Sequence, residues 1–155
     1  LSINLLGDGF VEVIDNSTLI SIAREQPGSS GGRIAGEVVW VPVLEAPGRR
    51  RVGRFGWKDQ HGSLLSAVAD SLRNEIGITN RLYPTESSPQ AQSKSDPEDK
   101  ADPATGLATI DRPARFIRAT QTPPRGDQLA RSPAVQAGSE IIRSHWLRHL
   151  SCANH

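Results

Sequence analysis

The 155-residue chain carries 18 Lys+Arg against 17 Asp+Glu, a formal net charge of +1, so it lacks the basic field that draws proteins onto nucleic acid or anionic lipid. Hydrophobic residues are 36% and aromatic residues 5%, while 14 glycines and 11 prolines commit much backbone to turns, so a loop-rich, modestly packed structure is expected. The one cysteine, Cys152, excludes an internal disulfide, no apolar run approaches the roughly 20 residues that span a bilayer, and no basic segment leading into an apolar one marks a secretory signal.

In chain order, Gly7-Asp8-Gly9 opens into the apolar run Phe10, Val11, Val13 and Ile14. Asp15, Asn16 and Ser17 offer side-chain oxygens as helix caps, and Leu19, Ile20, Ile22 and Ala23 supply an apolar face for a short helix that Pro27 is predicted to stop. The turn cluster Pro27 to Gly32 leads to a β-branched run from Val38 to Leu44, and Pro42 within it reads as an edge strand. Arg49-Arg50-Arg51 is expected to be a solvated turn. Gly53 and Gly56, set between bulky residues from Val52 to Lys58, suggest irregular backbone lying close to something large.

His61, near a helix start, reads as a surface or capping residue. Ser63 caps the best helix, with Leu64, Leu65, Val68, Ala69, Leu72 and Ile76 at helical spacing and Gly77 as its stop. Residues 84–107 are polar and without apolar periodicity, which predicts a surface insertion or disordered linker with nothing to offset its ordering entropy. A short helix carrying Ala114, Phe116, Ile117 and Ala119 precedes Pro123-Pro124, and Ser132-Pro133 starts another through Val135, Ala137, Ile141 and Ile142. The fold class is mainly α with one short β segment and long loops.

Three stretches resemble the bacterial di-haem oxidoreductases of the thiol oxidoreductase type, relatives of di-haem cytochrome c peroxidases: Gly7-Asp8-Gly9-Phe10-Val11-Glu12-Val13-Ile14; Arg51-Val52-Gly53-Arg54-Phe55-Gly56-Trp57-Lys58-Asp59-Gln60-His61; and Asn74-Glu75-Ile76-Gly77-Ile78-Thr79-Asn80-Arg81-Leu82. A weaker fourth is Ile110-Asp111, then Ala114 to Ala119, then Pro123-Pro124-Arg125, with Pro113 departing from the helix-compatible residue usual there. The resemblance implies a partial cytochrome-c-like domain. Residues 1–83 are then an inter-haem segment, 84–107 an insertion, 108–143 the helical start of a second cytochrome c domain, and 144–155 a tail unlike the family. It also implies haem c in an intact parent, an electron-donor protein or small reductant as partner, and an extracytoplasmic, periplasmic setting. Trp57 becomes the candidate electron relay between haems, and Arg54 and Phe55 candidates for packing against haem.

Attachment of haem c needs Cys-x-x-Cys-His, which this chain does not contain. No cofactor is therefore expected in the chain itself, and its short helices are expected to form only partially without a haem to pack on. The start at Leu1 and the lack of any methionine read as a cut from something longer. In the tail, one permitted codon choice from His145 onward, shifted by one base, reads Ile-Gly-Cys-Ala-Ile-Cys-His-Val-Pro-Thr, its glycine forced by the single codon of Trp146. A frameshifted fragment, inactive alone, is the resulting expectation. His145, His149, Cys152 and His155 are accordingly not assigned as metal ligands. The alternatives are a non-catalytic, haem-free interaction or structural module, or a pseudogene product.

Overall fold

The computed structural model describes residues 4–85, 99–124 and 126–150, with residues 142–150 described as helix backbone only. It is mostly helical, with one two-stranded antiparallel sheet. The elements are α1 (Asp8–Glu12), α2 (Asn16–Ser29), β1 (Trp40–Pro42), β2 (Arg50–Val52), α3 (Leu64–Ser71), α4 (Asp111–Ala119), α5 (Asp127–Ala130) and α6 (Pro133–Leu150). The chain divides into unit one, Leu1–Asn16 with Val38–Gln121, and unit two, Ser17–Glu37 with Thr122–His155. No helix among the described residues is long and apolar enough to cross a membrane.

Unit one is built on α1, α3 and α4. Leu64, Val68 and Ala69 of α3 meet Ala114 and Ile117 of α4, with Phe55 and Ile110 completing the buried cluster and Val11, Leu82 and Tyr83 around it. Each such large aliphatic side chain contributes about 1.5–3 kcal/mol on full burial. The side chains of these three elements pack on one another within this cluster. Gly9 lets α1 approach the end of α4 closely; a Cβ there would stand 2.5 Å from the Arg118 carbonyl oxygen.

Helix α3 starts at Ser63, whose Oγ accepts the Ser66 amide at 3.1 Å. Beyond Ser71 the backbone widens into a π-turn, Leu72–Ile76, before Gly77 ends it. The wider turn breaks the 3.6-residue phase, so Ile76, read from the sequence as part of the apolar face, is 66% exposed. Asn80 then docks the following turn onto α3, donating from Nδ2 to the Ala69 carbonyl at 2.9 Å while Oδ1 accepts the Leu82 and Tyr83 amides.

The edge-strand reading of Val38 to Leu44 narrows to β1, and its partner β2 falls where a solvated arginine turn was expected. Arg50 pairs with Pro42, Arg51 with Val41 and Val52 with Trp40. Val41 and Val52 are buried while Arg50 Nη2 donates to the Trp40 carbonyl at 2.7 Å and Arg51 Nη2 to the Glu12 carbonyl at 2.9 Å, so both arginines have work within the fold. Two further readings shift. Pro27 lies inside α2, which runs on to Ser29. Pro113 sits in the first turn of α4, where its missing N–H leaves no bond unmade.

Of the stretch 84–107, residues 86–98 lie outside the described ones. Asp99 beyond them is tied in: its Oδ1 accepts the Ile110 amide at 3.0 Å and its Oδ2 pairs with Arg81 Nη1 at 2.9 Å. Arg81 Nη2 also reaches Asp111 Oδ1 at 2.6 Å. Asp102 Oδ1 accepts the Ala104 and Thr105 amides, and Arg112 pairs with its other oxygen. Thr120 closes unit one: its Oγ1 lies 2.7 Å from the Ile117 carbonyl and 3.3 Å from that of Leu5, and accepts the Gly7 amide.

In unit two, α2 and α6 supply most of the backbone order, and α6 begins at Pro133 as the Ser132-Pro133 pair predicts. The described side chains of unit two are largely exposed, Leu129 of α5 and Ile141 of α6 among them. The tail reading falls on residues 144–155, whose side chains lie outside the described ones.

Candidate functional site

The loop between β2 and α3 carries Arg54, Phe55, Trp57 and His61, and the structure separates them sharply. Phe55 is 7% exposed, in the buried cluster, whereas Trp57 two residues on is 76% exposed. Between them Gly56 turns at φ +84°, a left-handed conformation that glycine adopts without strain. The loop closes on itself: the His61 amide donates to the Phe55 carbonyl at 3.0 Å, and the Arg54 and Phe55 amides both donate to the His61 carbonyl. Asp59 takes φ +52°, and its carbonyl oxygen fills the space a Cβ on Gly53 would need. The close approach expected at Gly53 is thus to the loop's own backbone.

Arg54 grips the end of α1. Its Nη1 donates to the carbonyls of Ile14 at 2.5 Å, Glu12 at 3.2 Å and Val11 at 3.4 Å, Nη2 to Asn16 Oδ1 at 2.7 Å, and Nε to the Val52 carbonyl at 3.2 Å. A guanidinium suits the carbonyls at a helix C-terminus, which carry partial negative charge. Burial, with Arg51 nearby, lowers its pKa from the ordinary value. The two residues read as haem-packing candidates are therefore engaged inside the chain, Arg54 on α1 and Phe55 in the core, while Trp57 alone of the three projects outward.

His61 is 8% exposed, which corrects the surface or capping reading. Its ring spans to α3, with Nε2 3.3 Å from Asp70 Oδ2, and Asp70 Oδ1 accepts Asn74 Nδ2 at 2.8 Å.

Sequence reading missed a further centre, Glu12. Its Oε1 accepts the Leu64 amide at 2.8 Å and Arg118 Nη2 at 2.9 Å, and Oε2 accepts Arg118 Nε at 2.6 Å. One carboxylate thus joins α1, the N-terminus of α3 and the end of α4. Burial pushes its pKa up, but the Arg118 fork and the Leu64 amide more than offset this, so it lies below the ordinary value. Beside it, Ser66 Oγ donates to Glu45 Oε2 at 2.8 Å. Nothing local marks Glu12, whose partners lie 52 and 106 residues away.

Haem c would need paired cysteines and an iron-ligating histidine. The chain's one cysteine, Cys152, lies outside the described residues, and the His61 Nε2 that would face an iron is directed at Asp70. Among the described residues no group of three His, Cys, Asp or Glu side chains converges as a metal site. The described residues do not fit a covalently held haem.

Comparison with known proteins supplies the wider setting. The profile of the family described as "Di-haem oxidoreductase, putative peroxidase" matches residues 1–96, which takes in three of the four family-like stretches and leaves the one from Ile110 onward beyond the match. No curated protein and no solved structure matches the chain. Glu12, Arg54 and Asn80, which knit α1, the Trp57 loop and α3, all fall inside the matched residues. The chain belongs to the di-haem oxidoreductase family.

Proposed function

We propose that these residues form the segment between two haem-attachment sites of a longer, periplasmic, peroxidase-like protein, and that the segment alone is inactive. Family membership, set beside a single cysteine, supports this reading: the haems belong to attachment motifs elsewhere in the parent. The parent's activity is transfer of electrons from a donor protein or small reductant to peroxide or a related oxidant. Within this chain the contribution is positional. Residues 108–143 supply the helical start of a second cytochrome-c-like domain, and the tail is a frameshifted remnant of the second attachment site.

The observation that carries the reading is Trp57, a large aromatic side chain 76% exposed on a loop whose base is closed by paired backbone bonds. An indole held outward on a fixed base suits contact with a redox group supplied from outside these residues, and Trp57 is the electron relay of this proposal. Arg54 and Phe55 serve it by anchoring the loop. In a frame-repaired, full-length parent, Trp57→Phe should keep both haems attached yet slow electron transfer between them. Unchanged inter-haem kinetics with normal haem spectra would reduce Trp57 to packing.

Expressed with a cytochrome c maturation system, the chain as it stands should show no covalent haem on a denaturing gel, and a one-base deletion before the Trp146 codon should create the attachment motif and permit staining. A second reading is a haem-free structural or interaction module, for which the packed side-chain cluster of unit one is the supporting observation. An unaltered chain found accumulated in cells without a haem-bearing parent would favour that module.

A further inference from the structure

We propose that His61 and Asp70 are positioning residues for Trp57, fixing the backbone that carries the indole; this rests on the reading of Trp57 as the relay. The loop from Phe55 to His61 has two independent fastenings. The first is the backbone pairing of Phe55 with His61, which closes its base. The second is the His61 ring. A Cβ on Gly56 would stand 3.3 Å from His61 Cδ2, so the imidazole lies directly against the residue that precedes Trp57. The neighbouring ring atom, Nε2, is fastened to α3 through Asp70, which is itself held by Asn74. The path from α3 and the π-turn that follows it to the exposed indole therefore runs Asn74, Asp70, His61, Gly56, Trp57.

The physical need for such a path follows from the exposure of Trp57. With no core packing of its own, the indole can hold a defined position only if its backbone is fixed, since contact or transfer geometry is lost when a group is misplaced by about an ångström. Fixing the loop in advance removes the ordering cost from the moment of contact. His61 is buried while the five residues from Gly56 to Gln60 are exposed, so the fastening lies beneath the loop and leaves its outer surface open. This arrangement gives His61 a use other than iron ligation.

Backbone 15N relaxation on the full 155-residue chain tests it. In the unaltered chain the amides of Trp57 and Lys58 should show order parameters of about 0.85, the rigid-backbone value, and in Asp70→Ala they should fall below about 0.6 while α4 amides are unchanged. His61→Phe, which keeps a ring against Gly56 but removes the bond to Asp70, should give the same loss at the same residues. A purely structural role would change stability without loosening the loop of the folded molecule. Order parameters at Trp57 and Lys58 that stay rigid in both folded variants would overturn the proposal, as would a loop already mobile in the unaltered chain. Should Asp70→Ala unfold the chain, seen as collapse of the whole spectrum, Asp70→Asn decides: a neutral partner should loosen the loop in part, and an unchanged loop again overturns the idea. The relay reading fails separately, through Trp57→Phe kinetics in the parent, so a rigid but kinetically silent Trp57 would sink that reading and leave this one standing.

Discussion

Unit one and unit two contrast in how they are held. Every buried hydrophobic residue among the described ones, from Val41 to Ile117, belongs to unit one, and there the core is laced by side chains that bond distant parts of the chain: Arg54 the backbone of α1, Asn80 the backbone of α3, and Glu12 the Leu64 amide of α3 and the Arg118 side chain of α4. Unit two has more continuous helix, in α2 and α6, and its described buried residue is the polar Ser30, whose Oγ accepts the Ile34 amide at 2.8 Å. Helix content and tertiary stability are therefore different quantities. Short helices of 5, 8 and 9 residues persist in unit one because they share a core, not because of their own propensity.

The contrast can be broken most forcefully at Leu64, which is fully buried where α3 meets α4. Leu64→Ala should cost about 2–5 kcal/mol, the range for emptying a packed core site. Hydrogen exchange should then accelerate throughout α3 and α4 and leave α6 amides unchanged. A loss shared equally by α6 would show that the two units are not separately held.

Glu12→Ala comes next, at about 1.5–3 kcal/mol, because it strips a charged partner from Arg118 and leaves the Leu64 amide without its acceptor. The urea midpoint measures it. A change indistinguishable from zero would mean that Glu12 decorates the core without holding it.

Acid provides a graded version of the same test. Glu12 and Asp111 both titrate below their ordinary values of 4.5 and 3.8, Glu12 because Arg118 and the Leu64 amide outweigh burial, Asp111 chiefly through its hydrogen bond from Arg81. A carboxylate with a depressed folded pKa stabilises the fold above its unfolded pKa, and that contribution drains away as pH falls through the folded value. Unit one should accordingly lose stability as pH drops from about 4.5 downward, and Glu12→Ala should flatten the upper part of that decline. A decline of the same shape in the variant would remove Glu12 from the account.

The smallest effect is expected in unit two. Leu129→Gln, at a side chain 69% exposed on α5, should move the urea midpoint by no more than about 0.5 kcal/mol equivalent. A larger loss would reveal packing on that side chain and narrow the contrast between the units.

Local chemistry was legible before the structure. Ser63 as a cap, Gly77 as a stop and Pro133 as a helix start depend on a few adjacent residues and appear as read. The membership of the Trp57 loop in a recognisable family was legible too, from its run of glycines and aromatics. Which aromatic faces inward was not: Phe55 and Trp57 are chemically alike, and only the turn at Gly56 and the clasp at His61 send one into the core and the other out of it. Glu12 looked like one acidic residue in an apolar run because its partners are far away in sequence. Ile76 carried the right spacing and ended exposed, through a π-turn whose single widened turn no periodicity reveals. His61 and Asp70, nine residues apart across a helix start, share no repeat that would pair them.

The small bond network at Thr120 has a consequence for how unit one bears load. Its hydroxyl touches the Leu5 carbonyl and accepts the Gly7 amide, so the segment before α1 is tied to the segment after α4. Tension applied to these two segments falls first on that tie and only then on the Glu12 and Arg54 lattice. Mechanical extension from residues 4 and 121 should therefore meet its first resistance at the Thr120 contacts, with the core yielding only afterwards.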